Sequence, residues 1–185
     1  MASQSPRRSE ILRRAGIPFV VKPANVDESV RPGERAEDYV RRVAEEKAMA
    51  VETEASDVVL GADTVVVIGG EILGKPRDRA DAVRMLMQLA GREHEVLTGI
   101  CLRRGKDLLH DRAVTRVWFT ALTGEEIEEY VASGEPMDKA GGYGIQGLAS
   151  KFVERIDGSY TNVVGLPIEL VFRHLPEFVA RPSSL

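Results

Sequence analysis

Apolar residues recur along the chain with two spacings, which predict two kinds of element. Where they recur three or four residues apart, as at Val40, Val43 and Ala44, an amphipathic helix is indicated. Where β-branched residues follow one another closely, as in "VVLGADTVVVI", a buried strand is indicated. We predict helices over 6–15, 35–51, 79–90 and 124–133 and a last helix from Pro167. We predict strands over 17–22, 58–68, 71–73, 95–103, 108–120 and 151–156.

End signals support several of these boundaries. Ser5 followed by Pro6 is a favourable helix start, and Thr123 with Glu126 has the spacing of a capping box. Because helices alternate with strands that are joined partly by hairpins, we predict an α/β fold in which helices cover a mixed sheet. A chain of 185 residues is expected to form a single domain, residues 1–185.

Composition and charge narrow the class of protein. Apolar residues make up 43% and charged residues 29%, which suits a folded core and is unlike a disordered chain. The net charge of −4 argues against a nucleic-acid-binding surface over the whole protein, though not against a local basic pocket. No apolar stretch reaches membrane-spanning length, and the first residues lack a signal-peptide pattern. We therefore expect a cytoplasmic protein with no nucleic-acid or membrane partner, whose single cysteine, Cys101, is a buried thiol.

One stretch has the spacing of a phosphate-binding loop. Gly69–Lys75 reads G-x-x-x-x-G-K, as in a Walker A motif. The next residue is Pro76, however, which has no hydroxyl for magnesium and no N–H for a phosphate. The flanks predict strand, hairpin turn and strand, whereas a P-loop joins a strand to a helix. A P-loop kinase is therefore disfavoured, and Lys75 needs another explanation.

Three charged residues stand where packing alone does not explain them. Asp63 interrupts an apolar strand, where a lone carboxylate costs desolvation free energy unless it is paired, binds a metal or lies at a solvated strand end. Lys47 falls on the apolar stripe of its helix, so it either extends its amine to solvent or meets an anion. Glu28, in a polar loop, is a candidate second carboxylate for a magnesium site. Since replacing Asp63 with Asn removes a buried charge, we expect the fold to survive that change or to gain stability.

Two arginines begin the first predicted helix. Arg7 and Arg8 lie in its first turn, where free N–H groups make the helix end positive. Cations at that end oppose the helix dipole by about 0.3–1 kcal/mol each. One interpretation is an anion site for a polyphosphate, built from helix amides and guanidinium groups. The other is a pair of solvated surface arginines.

A glycine-rich segment, "DKAGGYGIQG", carries Lys139, Tyr143 and Gln146. Glycines let the backbone approach a ligand closely, and a glutamine amide can donate to and accept from a base edge. The alternative is an ordinary turn-rich connection. Together with the arginines, lysines and carboxylates above, and without a Ser-His-Asp set, these residues suit metal-assisted hydrolysis of a phosphoanhydride by water.

The same residues lie in motifs that resemble those of the Maf-type nucleoside triphosphate pyrophosphatases. The motifs, in order over nearly the whole chain, are "SQSPRRSEIL", "VDES", "EEKAMAV", "GADTVVV", "GEILGKPRD", "SGEPMDKAGGYGIQG" and "IDGSYTNVVGLPI". The resemblance implies an elongated mixed β-sheet flanked by helices, with two lobes and a central cleft, similar to inosine triphosphate pyrophosphatases. It also implies cleavage between the α and β phosphates of a nucleoside triphosphate, with Mg²⁺ or Mn²⁺ as cofactor.

The resemblance further implies roles for particular residues. It makes Asp63 the catalytic base and, with Glu28, a metal ligand. It ties Arg7, Thr64 and Gln146 to substrate choice. Further substrate-binding positions are expected at the remaining charged residues, which are Arg8, Lys47, Lys75 and, from the glycine-rich segment, Lys139. That segment is similar to the one in the branch that acts on dTTP and UTP, so modified pyrimidine triphosphates are expected substrates as well.

One alternative function stays open at the level of sequence. The family's older name, septum formation protein, suggests a nucleotide-binding regulator of cell division that does not turn its ligand over. Release of pyrophosphate separates an enzyme from such a regulator. The resemblance also leaves room for a homodimer.

Overall fold

The computed structural model describes residues 1–54 and 56–180 and has a mixed α/β fold. The helices are α1 (Pro6–Arg14), α2 (Ala36–Met49), α3 (Arg79–Leu89), α4 (Gly124–Ala132), α5 (Tyr160–Val164) and α6 (Ile168–Ala180). The strands are β1 (Val59–Ile68), β2 (Glu71–Leu73), β3 (Glu93–Arg104), β4 (Asp107–Phe119) and β5 (Val153–Asp157). Short 3₁₀ helices cover Glu135–Asp138, Ala140–Gly142 and Leu148–Phe152. Residues 181–185 of the predicted domain lie outside the described residues.

The strands form one five-stranded antiparallel sheet, flanked by helices, in the order β2-β1-β3-β4-β5. Val66 of β1 lies opposite Leu73 of β2, and Val117 of β4 lies opposite Ile156 of β5. The prediction of a mixed sheet is therefore wrong, because the observed sheet is antiparallel. The helical connection through α3 joins β2 and β3, which run in the same direction. Because β1 lies between these two strands, no neighbouring pair becomes parallel.

The helix-start signals in the sequence are confirmed. The Ser5 hydroxyl accepts a hydrogen bond from the N–H of Arg8 in the first turn of α1. The Asp78 carboxylate caps α3 in the same way. At α4 the side chains of Thr123 and Glu126 each accept from the other's backbone N–H, which is the predicted capping box. Side-chain oxygens thus satisfy amides that have no partner within the helix.

The strand predicted over 17–22 is wrong, since these residues have no regular secondary structure. Val20 and Val21 are 71% and 41% exposed, so the apolar run buries neither face against the sheet. Its backbone forms hydrogen bonds with the first residue of the chain instead. The Met1 amine donates to the Val20 carbonyl at 2.8 Å, and the Lys22 N–H donates to the Met1 carbonyl at 3.1 Å. Because the Val20 carbonyl and the Lys22 N–H already have partners, they do not need the hydrogen bonds of a neighbouring strand.

Two other segments differ from the predicted boundaries. Residues 151–152 end a 3₁₀ helix, so β5 begins two residues later than predicted. The segment "YTNVV", which has no predicted element, forms α5. Its Asn162 is fully buried and donates to the Val96 carbonyl and to the Thr115 hydroxyl, both at 2.9 Å. This asparagine therefore has a packing role in its part of the fold.

The chain divides into two compact units. Unit 1 comprises Met1–Asp63, Thr98–Ala113 and the chain from Gly165 onward, and unit 2 comprises Thr64–Leu97 and Val114–Val164. In the described ranges, no helix is both long and apolar enough to cross a bilayer.

Unit 1 is organised by a close contact between α2 and two strands. A Cβ atom on Gly61 of β1 would lie 2.1 Å from the Ala44 carbonyl oxygen, and one on Gly99 of β3 would lie 2.5 Å from the Val40 carbonyl oxygen. Only glycine leaves room for the helix backbone to approach the sheet this closely. Since Lys47 is one turn beyond Ala44, the same contact carries its side chain into the core of unit 1.

Unit 2 has an aromatic core beneath the glycine-rich segment. The Tyr143 ring packs edge-on against Phe119 with centroids 4.7 Å apart, and its hydroxyl lies 2.9 Å from Nε2 of His94. Burial lowers the pKa of His94 to about 4, so its imidazole is neutral at pH 7. Gly141 has a φ of 67° and packs so closely on Val66 that a Cβ atom would lie 2.7 Å from Cγ2. Tyr143 thus anchors the segment to the core.

Candidate functional site

A buried ion-pair cluster in unit 1 joins β1, α2 and the loop before α2. The Lys47 ammonium lies 2.7 Å from Oδ1 of Asp63 and 2.7 Å from Oε1 of Glu28. Lys47 and Asp63 are each 6% exposed, whereas the Glu28 side chain is 39% exposed. Of the two interpretations of Lys47, the structure therefore supports the one in which its amine meets an anion. Asp63 is paired, so removing its charge leaves the buried Lys47 ammonium with only the more exposed Glu28 as counter-ion. We therefore expect the change to lower the stability of the fold and not to raise it.

Arg8 adds a second buried cation to the cluster from α1. Its Nε donates to the Gly165 carbonyl at 2.8 Å, and its Nη1 donates to the Ala62 carbonyl at 2.9 Å and to the Ser3 hydroxyl at 3.1 Å. Burial lowers the pKa of Arg8, and the negative charge of Asp63 acts in the opposite direction. Arg8 therefore ties α1 to β1 while placing positive charge near the catalytic carboxylate predicted from the sequence.

The loop that carries Glu28 is held by α2 at several points. The Tyr39 hydroxyl donates to the Glu28 carbonyl at 2.8 Å. Arg42 donates to the Ser29 carbonyl at 3.0 Å and forms a two-pronged pair with Glu34 at 2.6 and 2.8 Å. This guanidinium lowers the pKa of Glu34 to about 2. Glu28 is thus presented from a backbone that the helix fixes.

The other residues predicted from the sequence to contact phosphate or to set substrate choice are less buried. Arg7 is half-buried in the first turn of α1, within unit 1. Thr64 directly follows Asp63 on β1 and is half-buried, and Lys75 is exposed just after β2; both belong to unit 2. The turn at 69–70 has φ values of 57° and 85° and joins two paired strands, so the predicted hairpin is confirmed.

Two predicted site residues in the glycine-rich segment of unit 2, Lys139 and Gln146, have different surroundings. Lys139 donates to the Glu135 carbonyl at 2.7 Å and to Oδ1 of Asp138 at 2.6 Å, and its side chain is 15% exposed. Its ammonium therefore supports the local fold. Gln146 is exposed, so its amide is accessible to a ligand.

Asp63 and Glu28 are the candidate metal ligands. Within the part of the chain that the structure describes, no group of three or more His, Cys, Asp or Glu side chains is arranged to hold a metal. Mg²⁺ is commonly bound by one or two carboxylates together with substrate phosphates, and Mn²⁺ also prefers oxygen ligands. The two carboxylates therefore fit a divalent cation whose remaining ligands are phosphate and water oxygens.

Sequence reasoning missed several residues that position this cluster. Arg42 and Tyr39 occupy ordinary helical positions, and nothing in their spacing reveals the loop that they hold. Gly61 did carry a usable signal, because a glycine inside a buried strand often marks a close approach of another backbone. Glu135, which contacts the glycine-rich segment of unit 2, was missed as well. It lies within the motif "SGEPMDKAGGYGIQG", but its contacts become visible only in the structure.

Comparison with known proteins finds relatives over nearly the whole chain. The Maf family model, described as "Maf-like protein", matches residues 1–178. A dTTP/UTP pyrophosphatase of Anaeromyxobacter sp. (strain Fw109-5) is 57% identical over 173 residues, which cover 91% of this chain and 83% of the relative. A protein of the same name from Hahella chejuensis is 53% identical over 172 residues, covering 91% and 86%. Another from Symbiobacterium thermophilum is 50% identical over 179 residues, covering 96% and 92%.

Proposed function

We infer that this chain, which belongs to the Maf family, hydrolyses dTTP and UTP to the nucleoside monophosphate and pyrophosphate. Relatives at 50–57% identity that span most of the chain carry the name dTTP/UTP pyrophosphatase. Modified pyrimidine triphosphates are included in the proposal, because the glycine-rich segment is similar to that of the branch acting on pyrimidines.

The observation that carries the proposal is the buried Asp63 carboxylate beside Lys47, with an N–O distance of 2.7 Å. A water that attacks the α-phosphorus must give up a proton, and we assign its acceptance to Asp63. The new bond joins the water oxygen to the α-phosphorus, and the bond to the bridging oxygen breaks, so that pyrophosphate leaves. Lys47 and Arg8 supply fixed positive charge near the negative charge of the reacting group.

The proposed cofactor is a divalent cation, Mg²⁺ or Mn²⁺, held by Glu28 and Asp63. When bound, such a cation polarises phosphoryl oxygens and makes a bound water more acidic. The carboxylates suit this cation by chemistry, since both are hard oxygen ligands. Lys47, which contacts both carboxylates, fixes their spacing before a cation and a triphosphate arrive.

The remaining residues are assigned to the phosphates and the base. Arg7 and Lys75 are proposed phosphate contacts, since each offers a cation that is at least partly exposed. Thr64 and Gln146 are proposed to set substrate choice. Uracil and thymine present an N–H between two carbonyls, and one glutamine amide can accept from that N–H while donating to a carbonyl. Cytosine lacks the N–H, so the same amide loses one partner.

Pyrophosphate release over a panel of nucleotides tests the proposal. Wild-type protein with Mg²⁺ or Mn²⁺ is expected to turn over UTP and dTTP well above CTP, ATP and GTP, and a chelator is expected to abolish release. Gln146→Ala is expected to weaken this ranking. A protein that binds these nucleotides but releases no pyrophosphate would instead support the regulator of cell division. Equal rates on all bases would show that Gln146 does not select the base.

A cytoplasmic location and a homodimer also belong to the proposal. Fractionation of cells that produce the protein tests the first. Light scattering coupled to size-exclusion chromatography tests the second, because a dimer of 20.3 kDa chains doubles the measured mass.

A further inference from the structure

The Glu135 carboxylate contacts the segment that carries Gln146. Oε1 of Glu135 accepts from the Tyr130 hydroxyl at 3.0 Å, and Oε2 accepts from the backbone N–H of Leu148 at 2.9 Å. The second bond holds the backbone two residues after Gln146. The first ties the carboxylate to Tyr130, which is 3% exposed on α4. Glu135 therefore links the segment to a buried helix position.

Gly147 packs directly on this carboxylate. A Cβ atom at Gly147 would lie 2.2 Å from Oε1 and 2.5 Å from Cδ of Glu135. The φ of Gly147 is −104°, which other residues also adopt. The glycine is therefore required by the neighbouring carboxylate and not by the backbone conformation.

The other end of the short stretch 144–147 rests on Lys139. A Cβ atom at Gly144 would lie 2.6 Å from Cε of Lys139, whose ammonium donates to the Glu135 carbonyl at 2.7 Å. Burial and the negative charge of Glu135 raise the pKa of Tyr130, so its hydroxyl remains a hydrogen-bond donor at neutral pH. Both flanks of Gln146 thus contact residues that are bonded to one another.

We propose that Glu135 is a positioning residue for base selection, which acts by fixing the backbone on which Gln146 is carried. This rests on the proposed function, in which the Gln146 amide reads the pyrimidine. Hydrogen bonds weaken steeply when distance and angle depart from their preferred values, so an amide can discriminate between bases only from a fixed backbone. Glu135 itself touches no substrate in this scheme.

Glu135→Ala tests the proposal, with Glu129→Ala on the exposed side of α4 as the matched control. Pyrophosphate release from UTP, dTTP and CTP is measured for each. In Glu135→Ala the ratio of kcat/KM for UTP over CTP is expected to fall about 5- to 20-fold, mainly through a higher KM for UTP. Glu135→Gln keeps one accepting oxygen, so its UTP-to-CTP ratio is expected to lie between those of wild type and Glu135→Ala. The control is expected to keep the wild-type ratio.

Gly147→Ala supplies an independent test of the same contact. In wild type, the added methyl group meets the Glu135 carboxylate, so the selectivity ratio is expected to fall as in Glu135→Ala. In the Glu135→Ala background that obstacle is gone, and Gly147→Ala is expected to change the ratio less than about twofold. Additive losses in the double variant would overturn the proposed contact.

Hydrogen exchange separates failure of this inference from failure of the proposed function. The Leu148 amide is expected to exchange faster in Glu135→Ala than in wild type, whether or not any nucleotide is cleaved. A wild-type protein that releases no pyrophosphate overturns the proposed function, and the exchange rate then decides the loop contact alone. An active wild type that shares its UTP-to-CTP ratio with Glu135→Ala overturns the inference.

A purely structural role for Glu135 gives a different pattern. Loss of stability alone lowers the active fraction, so the rates on UTP, dTTP and CTP fall by the same factor and their ratio stays constant. The thermal midpoint of each variant is recorded beside the kinetics for this reason. A constant ratio with a lowered midpoint counts against base selection.

Discussion

Replacing Asp63 with Asn tests the cluster at its centre. The change keeps the shape of the side chain and removes the negative charge that faces Lys47 at 2.7 Å. An amide cannot accept the proton of an attacking water as a carboxylate does. Loss of a general base typically lowers turnover about 10²- to 10⁴-fold, and we expect kcat for UTP to fall in that range.

The same change is expected to destabilise the fold. Removing one partner of a buried ion pair costs about 3–5 kcal/mol when nothing replaces it. Here Asn can still accept a hydrogen bond from Lys47, and Glu28 stays 2.7 Å from the same ammonium. We therefore expect a loss of about 1–3 kcal/mol in the free energy of unfolding. Arg8, which is also buried, loses a favourable charge at the same time.

Urea denaturation and pyrophosphate release are measured on the same preparations. Asp57→Asn, an exposed acid in unit 1, is the matched control and is expected to match wild type in both. Adding Lys47→Met to Asp63→Asn removes both partners and is expected to recover much of the lost stability without recovering turnover. Turnover of Asp63→Asn close to that of wild type would refute the base assignment. A gain in stability would refute the ion-pair reasoning.

Three further perturbations follow from features described above. Gly61→Ala is expected to push α2 away from β1 and to lower the free energy of unfolding by about 1–3 kcal/mol, measured by urea denaturation. Gly74→Ala is the control and is expected to leave stability unchanged, because the space around its Cβ position is open. Arg7→Ala and Lys75→Ala each remove a proposed phosphate contact, so kcat/KM is expected to drop roughly 10- to 150-fold for every triphosphate tested; unchanged kinetics in both would remove them from the phosphate site. The pKa of His94 is about 4 in the folded protein and about 6.5 in the unfolded chain. Between these values the unfolded chain binds a proton that the folded protein does not. The free energy of unfolding is therefore expected to fall as the pH drops from about 6.5 towards 4, by at most ~1.4 kcal/mol per pH unit. His94→Leu is expected to remove that slope.

Much of the fold was predictable because local signals and burial agree. The runs that became β1 and α2 combine a clear apolar pattern with side chains that are buried in the structure. The run over 17–22 is also rich in apolar residues, but its backbone bonds to Met1. Such a partner lies far along the chain, and hydrophobic spacing contains no information about it.

The sequence allowed us to predict which charged residues belong to the candidate site, but not how those residues pair. An aspartate in an apolar strand and a lysine on an apolar helix face each required a partner, and the structure pairs Asp63 with Lys47. Neither residue's surroundings in the sequence identified the other. The contacts of Glu135 were less accessible still, because a glutamate beside a turn is unremarkable until the structure places Gly147 against it.

The close approach of α2 to β1 restricts which amino-acid substitutions this chain can tolerate. The spacing is set where the Gly61 backbone meets the Ala44 carbonyl, so it cannot be tuned by enlarging or trimming neighbouring side chains. The distance that the side chain at position 47 must cover, from the α2 backbone to Asp63 on β1, is therefore nearly constant. Arginine carries the same charge but is longer and planar, so it would have to place a larger group between the same two carboxylates. We therefore expect substitutions on the surface of α2 to be tolerated more readily than a change of the lysine at position 47.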